Sequence, residues 1–192
     1  TPSTADRTVS FVINDGNSDS SAATRVVTVT ASNDSPVNNL PSSQNVDQNA
    51  VLTFNSANGN QLSISDVDVG TGSIEVSLTA TKGLLSLGTT AGLTFSVGDG
   101  IADASMTLSG TLTDINNALN GLTFSPTTGF NGAATLQITT SDLGNTGSGG
   151  AQTDTDTISI TVDPIEPVLT SVSSTTANGT YGIGDVVTVT VS

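Results

Sequence analysis

The 192-residue sequence has no cysteine, no histidine and no tryptophan, and aromatic residues make up only 3% of it. Without cysteine there are no disulfides, so the fold must rest on packing or on bound ions. Without imidazole or thiolate there is no ordinary zinc site. Serine nucleophiles lack their customary histidine base. Lysine and arginine total 3, too few to offset a phosphate backbone, so a nucleic-acid partner is excluded. No stretch approaches the ~20 apolar residues that span a bilayer. No leader-like segment opens the chain, which reads as an excerpt of a longer protein or as cytosolic.

What is present is acidic and β-forming. Asp and Glu total 17, giving a net charge of −14, yet charged residues are only 10% of the chain. Ser and Thr number 59, nearly a third, and hydrophobic residues 34%. The apolar residues alternate. Val27, Val29 and Ala31 are separated by Thr28 and Thr30. Ile74, Val76 and Leu78 are separated by Glu75 and Ser77, and Ile158, Ile160 and Val162 by Ser159 and Thr161. Leu62 and Ile64, and Val187, Val189 and Val191, repeat the pattern. A period of two puts one face of a strand in a core and the other in water. Asp15-Gly16, Asn58-Gly59, Asp99-Gly100, Asn131-Gly132 and Asn178-Gly179 supply turns between the runs. Strands recurring every ~8–12 residues predict an all-β antiparallel sandwich. Phe11, Phe54, Phe95, Phe124, Phe130 and Tyr181 fall mostly in strand or core register and read as packing anchors.

One segment departs from period two. In Thr111 to Leu122, the residues Leu112, Ile115, Ala118, Leu119 and Leu122 have helical spacing. Thr111 is a natural N-cap, with Asp114 in the first turn and Gly121 as the stop. A short helix is therefore predicted near 111–120.

A weak internal repeat sets the domain organisation. Residues 8–31 and 134–162 each read as two strands, with an Asp closing the first (Asp15, Asp142) and a Pro after the second (Pro36, Pro167). Tandem domains follow. Residues 1–35 are the last strands of a preceding repeat. Residues 36–166 form one complete domain. Residues 167–192 begin a following one.

Several motifs carry a family resemblance. Ser65-Asp66-Val67-Asp68-Val69-Gly70 is an Asp-x-Asp element after an early strand, and Thr140-Ser141-Asp142 closes a late one. Ser32-Asn33-Asp34-Ser35-Pro36 is an Asn-Asp linker, and residues 110–126 read GTLTDINNALNGLTFSP. With these features the chain resembles the cadherin-like, Ig-like β-sandwich repeats of large bacterial surface and secreted adhesins. Residues 167–192 look like the start of a different bacterial Ig-like repeat. The linker at 162–167 lacks the Asn-Asp pair, and the animal cadherin Asp-Arg-Glu element is absent from the middle domain.

The resemblance implies calcium (Ca2+) at the first junction, held by Asn33, Asp34, Asp66, Asp68 and Asp142. The residue types suit the ion, which takes six to eight hard oxygen ligands. An EF-hand is excluded, since counting from Asp66 the fifth position is Gly70 and the twelfth Ser77. Asp154 and Asp156 flank Thr155 ahead of an exposed strand and read as solvated; Asp163 and Glu166 stay open as ligands.

The function implied is structural. Such a segment extends a secreted or cell-surface adhesin, stiffened by calcium and flanked by neighbouring repeats of the same chain. The alternatives are a module that recognises a protein or glycan, through loops such as 141–153, and a subunit that exchanges strands and self-associates into fibres. No enzymatic activity is expected, because the carboxylates have no aromatic sugar platform beside them.

Overall fold

The computed structural model describes residues 3–166, 169–174 and 187–191. The first strands are β1 (Arg7–Phe11), β2 (Ala23–Val27), β3 (Val37–Asn39), β4 (Gln44–Asp47) and β5 (Leu52–Phe54). They are followed by β6 (Ser63–Ser65), β7 (Ser73–Ala80), β8 (Gly83–Ser86), β9 (Thr94–Val97) and β10 (Ser105–Thr111). Helix α1 (Leu112–Leu119) precedes β11 (Leu122–Pro126), β12 (Gly132–Ser141), β13 (Thr153–Asp163), β14 (Leu169–Ser174) and β15 (Val187–Val191).

The fold is an all-β sandwich. Its larger sheet has six strands in the order β4-β13-β12-β7-β10-β9, and a smaller one runs β5-β11-β8. Pairing is antiparallel except that β4 lies parallel to β13. Period two does what it predicts on the long strands. Ile74, Val76 and Leu78 of β7 are fully buried, and the residues between them are not. Register then stacks apolar partners across strands: Leu136 opposite Ile158, Ile138 opposite Leu78, and Leu108 opposite Val76. The smaller sheet contributes Phe54, Leu85, Leu122 and Phe124 to the same core. Gly83 leaves room for the Phe124 ring, which an added Cβ would meet at 2.3 Å. The buried members of the apolar cluster run from Val46 to Val162, with Leu40 packed against them.

Helix α1 forms where the spacing places it. Thr111 caps it, accepting a hydrogen bond from the Asp114 amide at 3.2 Å, and Ile115, Ala118 and Leu119 are buried. Asn116 does something that the periodicity does not show. Its side-chain amide accepts from the Ile64 N–H at 2.8 Å and donates to the Ile64 carbonyl at 2.9 Å. One side chain thus meets both main-chain groups of a β6 residue, as a neighbouring strand would.

The hairpin β1–β2 differs from the expectation for Val27. Both strands are exposed along their length. Val9, Phe11 and Val27 lie on one face in register, with Phe11 59% exposed. Among the described residues nothing packs on that face, so alternation here buries nothing. Phe11 is accordingly no packing anchor, whereas Phe54 and Phe124 are fully buried. Four of the five predicted turn glycines, Gly16, Gly59, Gly100 and Gly132, have positive φ. Gly179 and Tyr181 lie outside the described residues.

The Asn116 contact yields a test. Asn116→Ala strands the Ile64 N–H and C=O and should lower unfolding free energy by about 1–3 kcal/mol. Asn117→Ala, on the exposed side of the same helix, should stay within about 0.5 kcal/mol of the parent. Urea denaturation of both variants reads the difference.

Candidate functional site

The carboxylates singled out in the sequence sit in loops at one end of the sandwich. The first loop follows β6. Asp66 forms an Asx turn, its Oδ1 accepting from the amides of Asp68 at 3.0 Å and Val69 at 3.2 Å. That turn tucks the Asp68 side chain inward, leaving the residue 4% exposed. The second loop joins β12 to β13. Asp142 begins it and is fully buried. Its Oδ1 accepts from the Gly144 and Gln152 amides, both at 2.8 Å, and so closes the loop on itself.

The 31–34 linker runs between these loops. Asn33 Nδ2 donates to Asp142 Oδ2 at 2.5 Å and to the Gly150 carbonyl at 2.9 Å. The Asp34 amide donates to Asp68 Oδ2 at 3.0 Å. Ser32 and Ser148 form a parallel bridge. Within it the Asn33 amide donates to the Ser148 carbonyl and the Ser148 amide to the Ala31 carbonyl, each at 3.0 Å. Four of the sequence-predicted residues, Asn33, Asp66, Asp68 and Asp142, therefore meet in one connected cluster. The fifth, Asp34, takes part through its main chain, and its side chain is exposed.

Three side-chain oxygens in this cluster are buried without a hydrogen-bond partner: Asn33 Oδ1, Asp66 Oδ2 and Asp68 Oδ1. Buried polar atoms are almost always paired, and an unpaired carboxylate oxygen is costly. No lysine or arginine compensates them, since the partners of these carboxylates are main-chain amides and the Asn33 side chain. A hard cation accepts this donor set, whose free atoms are two carboxylate oxygens and one amide carbonyl. Among the described residues no three carboxylates gather by themselves into a metal-holding group. The open oxygens come from two acids and an amide, and Asp142 already spends both of its oxygens on hydrogen bonds.

The electrostatics divide the two best-placed acids. Burial pushes Asp66 above its ordinary value of 3.8, and the neighbouring Asp68 carboxylate adds to that, against the pull of the Asp68 and Val69 amides. For Asp142 burial pushes upward as well. The Gln152 and Gly144 amides and the Asn33 side chain outweigh it, and the net shift is downward. The linkage signs are opposite. Asp142 contributes stability above its unfolded pKa, and that stability is lost as pH falls through the depressed folded value. Asp66 favours the fold in its protonated form, and that contribution is lost as pH rises through the raised folded value.

Asp154 and Asp156 are not simply solvated, contrary to their sequence reading. Asp154 Oδ2 accepts from the Asn38 amide at 2.8 Å and Asp156 Oδ2 from Asn38 Nδ2 at 3.3 Å. Thr140 donates to Asn38 Oδ1 at 2.6 Å. The reason is register: both acids share the face of β13 that buries Ile158 and Ile160. At the second junction Asp163 Oδ2 accepts from Asn45 Nδ2 at 3.2 Å, and Glu166 is exposed. Sequence reasoning also missed Asn145, Thr146 and Gly147. The available signal was the run of glycines and small polar residues from 144 to 150.

No family model matches the chain, and no curated protein sequence matches it. Among solved structures, the cohesin module of a family 33 glycoside hydrolase from Clostridium perfringens is similar at 12% identity and a TM-score of 0.40. That match covers 71% of this chain and 100% of the module. Domains 1–6 of the surface layer protein SbsC are similar at 14% identity and a TM-score of 0.30, over 80% of this chain and 16% of that one. A structure described as manganese lipoxygenase of Gaeumannomyces graminis with partial zonadhesin of Komagataella pastoris is similar at 12% identity and a TM-score of 0.32. It covers 82% of this chain and 55% of that one. Likenesses at this level say nothing about the oxygen cluster. No helix among the described residues is long and apolar enough to cross a membrane.

The opposed shifts predict opposed substitutions at neutral pH in chelator. Asp66→Asn keeps the turn acceptor and removes a disfavoured charge. It should raise the melting midpoint. Asp142→Asn places an NH2 against existing donors and should lower the midpoint by at least as much. Calorimetric melts of the two variants check both signs.

Proposed function

We propose that the chain is a structural segment of an extracellular adhesin or surface fibre, non-enzymatic, and stiffened by calcium where the 31–34 linker meets the 66–68 and 142–152 loops. The observation that carries this reading is the set of three buried, unpartnered oxygens on Asn33, Asp66 and Asp68. They lie in a chain of net charge −14. Asn33, Asp66 and Asp68 would hold the ion through these atoms. Asp142 would hold Asn33 in place, and the exposed Asp34 carboxylate would be free to join from the linker. When bound, the ion supplies the positive charge that the three cationic residues of the chain do not.

The linker then has two states of differing stiffness. With the ion absent, the Asp66 and Asp68 carboxylates repel across one turn and the linker is held by hydrogen bonds alone, from Asn33 to Asp142 and from the Asp34 amide to Asp68. With it present, groups from the linker and from the sandwich share one ligand. Extracellular modules bind calcium in the ~10⁻⁴–10⁻³ M range, so the site would fill outside a cell and empty inside one. In this reading residues 1–35 and 167–192 belong to neighbouring repeats, and 36–166 is the domain between them.

A thermal melt in millimolar calcium and in chelator tests the proposal, on the parent and on Asp66→Ala/Asp68→Ala. At ten times Kd one site contributes about 1.4 kcal/mol, which should raise the parent midpoint by roughly 3–6 °C and leave the double variant unmoved. An unmoved parent overturns the reading.

The exposed face of β1–β2 that carries Val9, Phe11 and Val27 favours a second reading: self-association by strand or sheet pairing. Sedimentation velocity over a concentration series would then show growing species in the parent and a monomer in Phe11→Ser. A parent that sediments as a monomer throughout excludes it.

A further inference from the structure

We infer that Asn145, Thr146 and Gly147 are positioning residues: a three-residue clamp that holds the 31–34 linker and the 66–68 turn in mutual register. What the clamp positions is the oxygen cluster, so its link to an ion rests on the calcium reading above, while the clamp itself does not.

Each of the three residues addresses a different segment. Asn145 reaches back into the sandwich. Its main-chain amide donates to the Asp142 carbonyl at 3.2 Å, and its side-chain amide donates to the carbonyls of Asp142 and Ser73. Gly72 makes the space, since an added Cβ there would meet the Asn145 side chain at 2.7 Å. Thr146 takes the acidic turn, its hydroxyl donating to the Asp68 carbonyl. Gly147 takes the linker. A Cβ at 147 would stand 2.5 Å from both the Ser32 carbonyl carbon and the Asn33 nitrogen. That contact is main chain against main chain, with no flexible side chain to move aside.

The backbone of the loop is committed to this arrangement. Leu143 and Thr146 have φ of 58° and 55°, and Gly144, Gly147, Gly149 and Gly150 are also positive. A β-branched residue in the left-handed region is strained, and strain of this kind persists where surrounding contacts over-determine it. Here the contacts are those of residues 145–147. The consequence is geometric. Thr146 fixes the main chain that carries the Asp68 carboxylate, and Gly147 fixes the main chain that carries the Asn33 amide. Neither residue contributes one of the open oxygens.

Two measurements on the full chain separate the clamp from the ion. The first is amide hydrogen exchange in chelator at Asn33 and Ser148, comparing the parent with Gly147→Ala. The clamp predicts protection falling by about tenfold or more at both amides, through local opening, while the Leu136 and Ile138 amides of β12 keep theirs. Equal protection at Asn33 and Ser148 in the two proteins overturns it. The second is calcium titration by calorimetry. Removing a partner that orients a ligand typically costs 10–100-fold in affinity. Thr146→Val should therefore weaken binding about tenfold, and Thr146→Ser should restore it. A Thr146→Val variant that binds calcium like the parent overturns the positioning role of Thr146. A parent that binds no calcium but loses protection in Gly147→Ala supports the clamp and overturns the calcium reading.

Discussion

Asp142 is a carboxylate with no exposed surface in a chain that has almost no positive charge to offer it. It must therefore be satisfied by dipoles, and the organisation of this end of the sandwich follows from how that is done. Two main-chain amides from its own loop take one oxygen, and the Asn33 side chain takes the other. The loop is thereby closed, and the linker is drawn against it. Once Asn33 is placed, the Asp34 amide meets Asp68, and the acidic turn joins the cluster. One buried charge fixes three segments that are distant in sequence.

The same rule explains the other polar contacts near the core. In β13 the face that buries Ile158, Ile160 and Val162 continues into Asp156 and Asp154 as the strand approaches the sandwich end. There the apolar core gives way, and Asn38 of β3 answers the two acids with its main chain and its side chain. Asn116 does the same for Ile64 across the helix. In each case a neutral amide, with a donor and an acceptor on one short stem, does what a salt bridge does in a more evenly charged protein.

What the sequence discloses and what it conceals divide along distance. The long strands are legible because alternation is a local property, and Ile74 to Leu78 or Ile158 to Val162 need no partner to announce a face. Helix α1 is legible because Thr111 and Asp114 are three residues apart. The Asp66 turn is legible for the same reason. Asn116 looks like Asn117 until the helix is seated on β6, since its partner lies 52 residues away. Asp154 and Asp156 were readable in principle by counting back in twos from Ile158, but their flanking threonines suggest a wet edge. Gly147 conveys only flexibility in sequence, whereas its role is close approach to a main chain more than a hundred residues earlier. Val27 shows the reverse error, since alternation promises a buried face and cannot say whether a second sheet arrives to cover it.

The parallel pairing of β4 with β13 has a mechanical meaning. The chain enters beside the start of β13, where Asn38 meets Asp154 and Asp156, and runs the same way as that strand until Asp47 lies opposite Asp163. The eleven residues of β13 correspond to roughly 36 Å of extended chain. Entry and exit therefore stand at opposite ends of one strand. A pull on residue 33 against residue 163 is met first by the Asn33 contacts to Asp142 and Ser148 and by the β3–β6 pairing; beyond them it runs along the β4–β13 ladder, whose hydrogen bonds are loaded together in shear and not peeled one at a time. Tension along the chain thus reaches the strand pair that the two ends share only after the linker contacts and the β3–β6 pairing have given way.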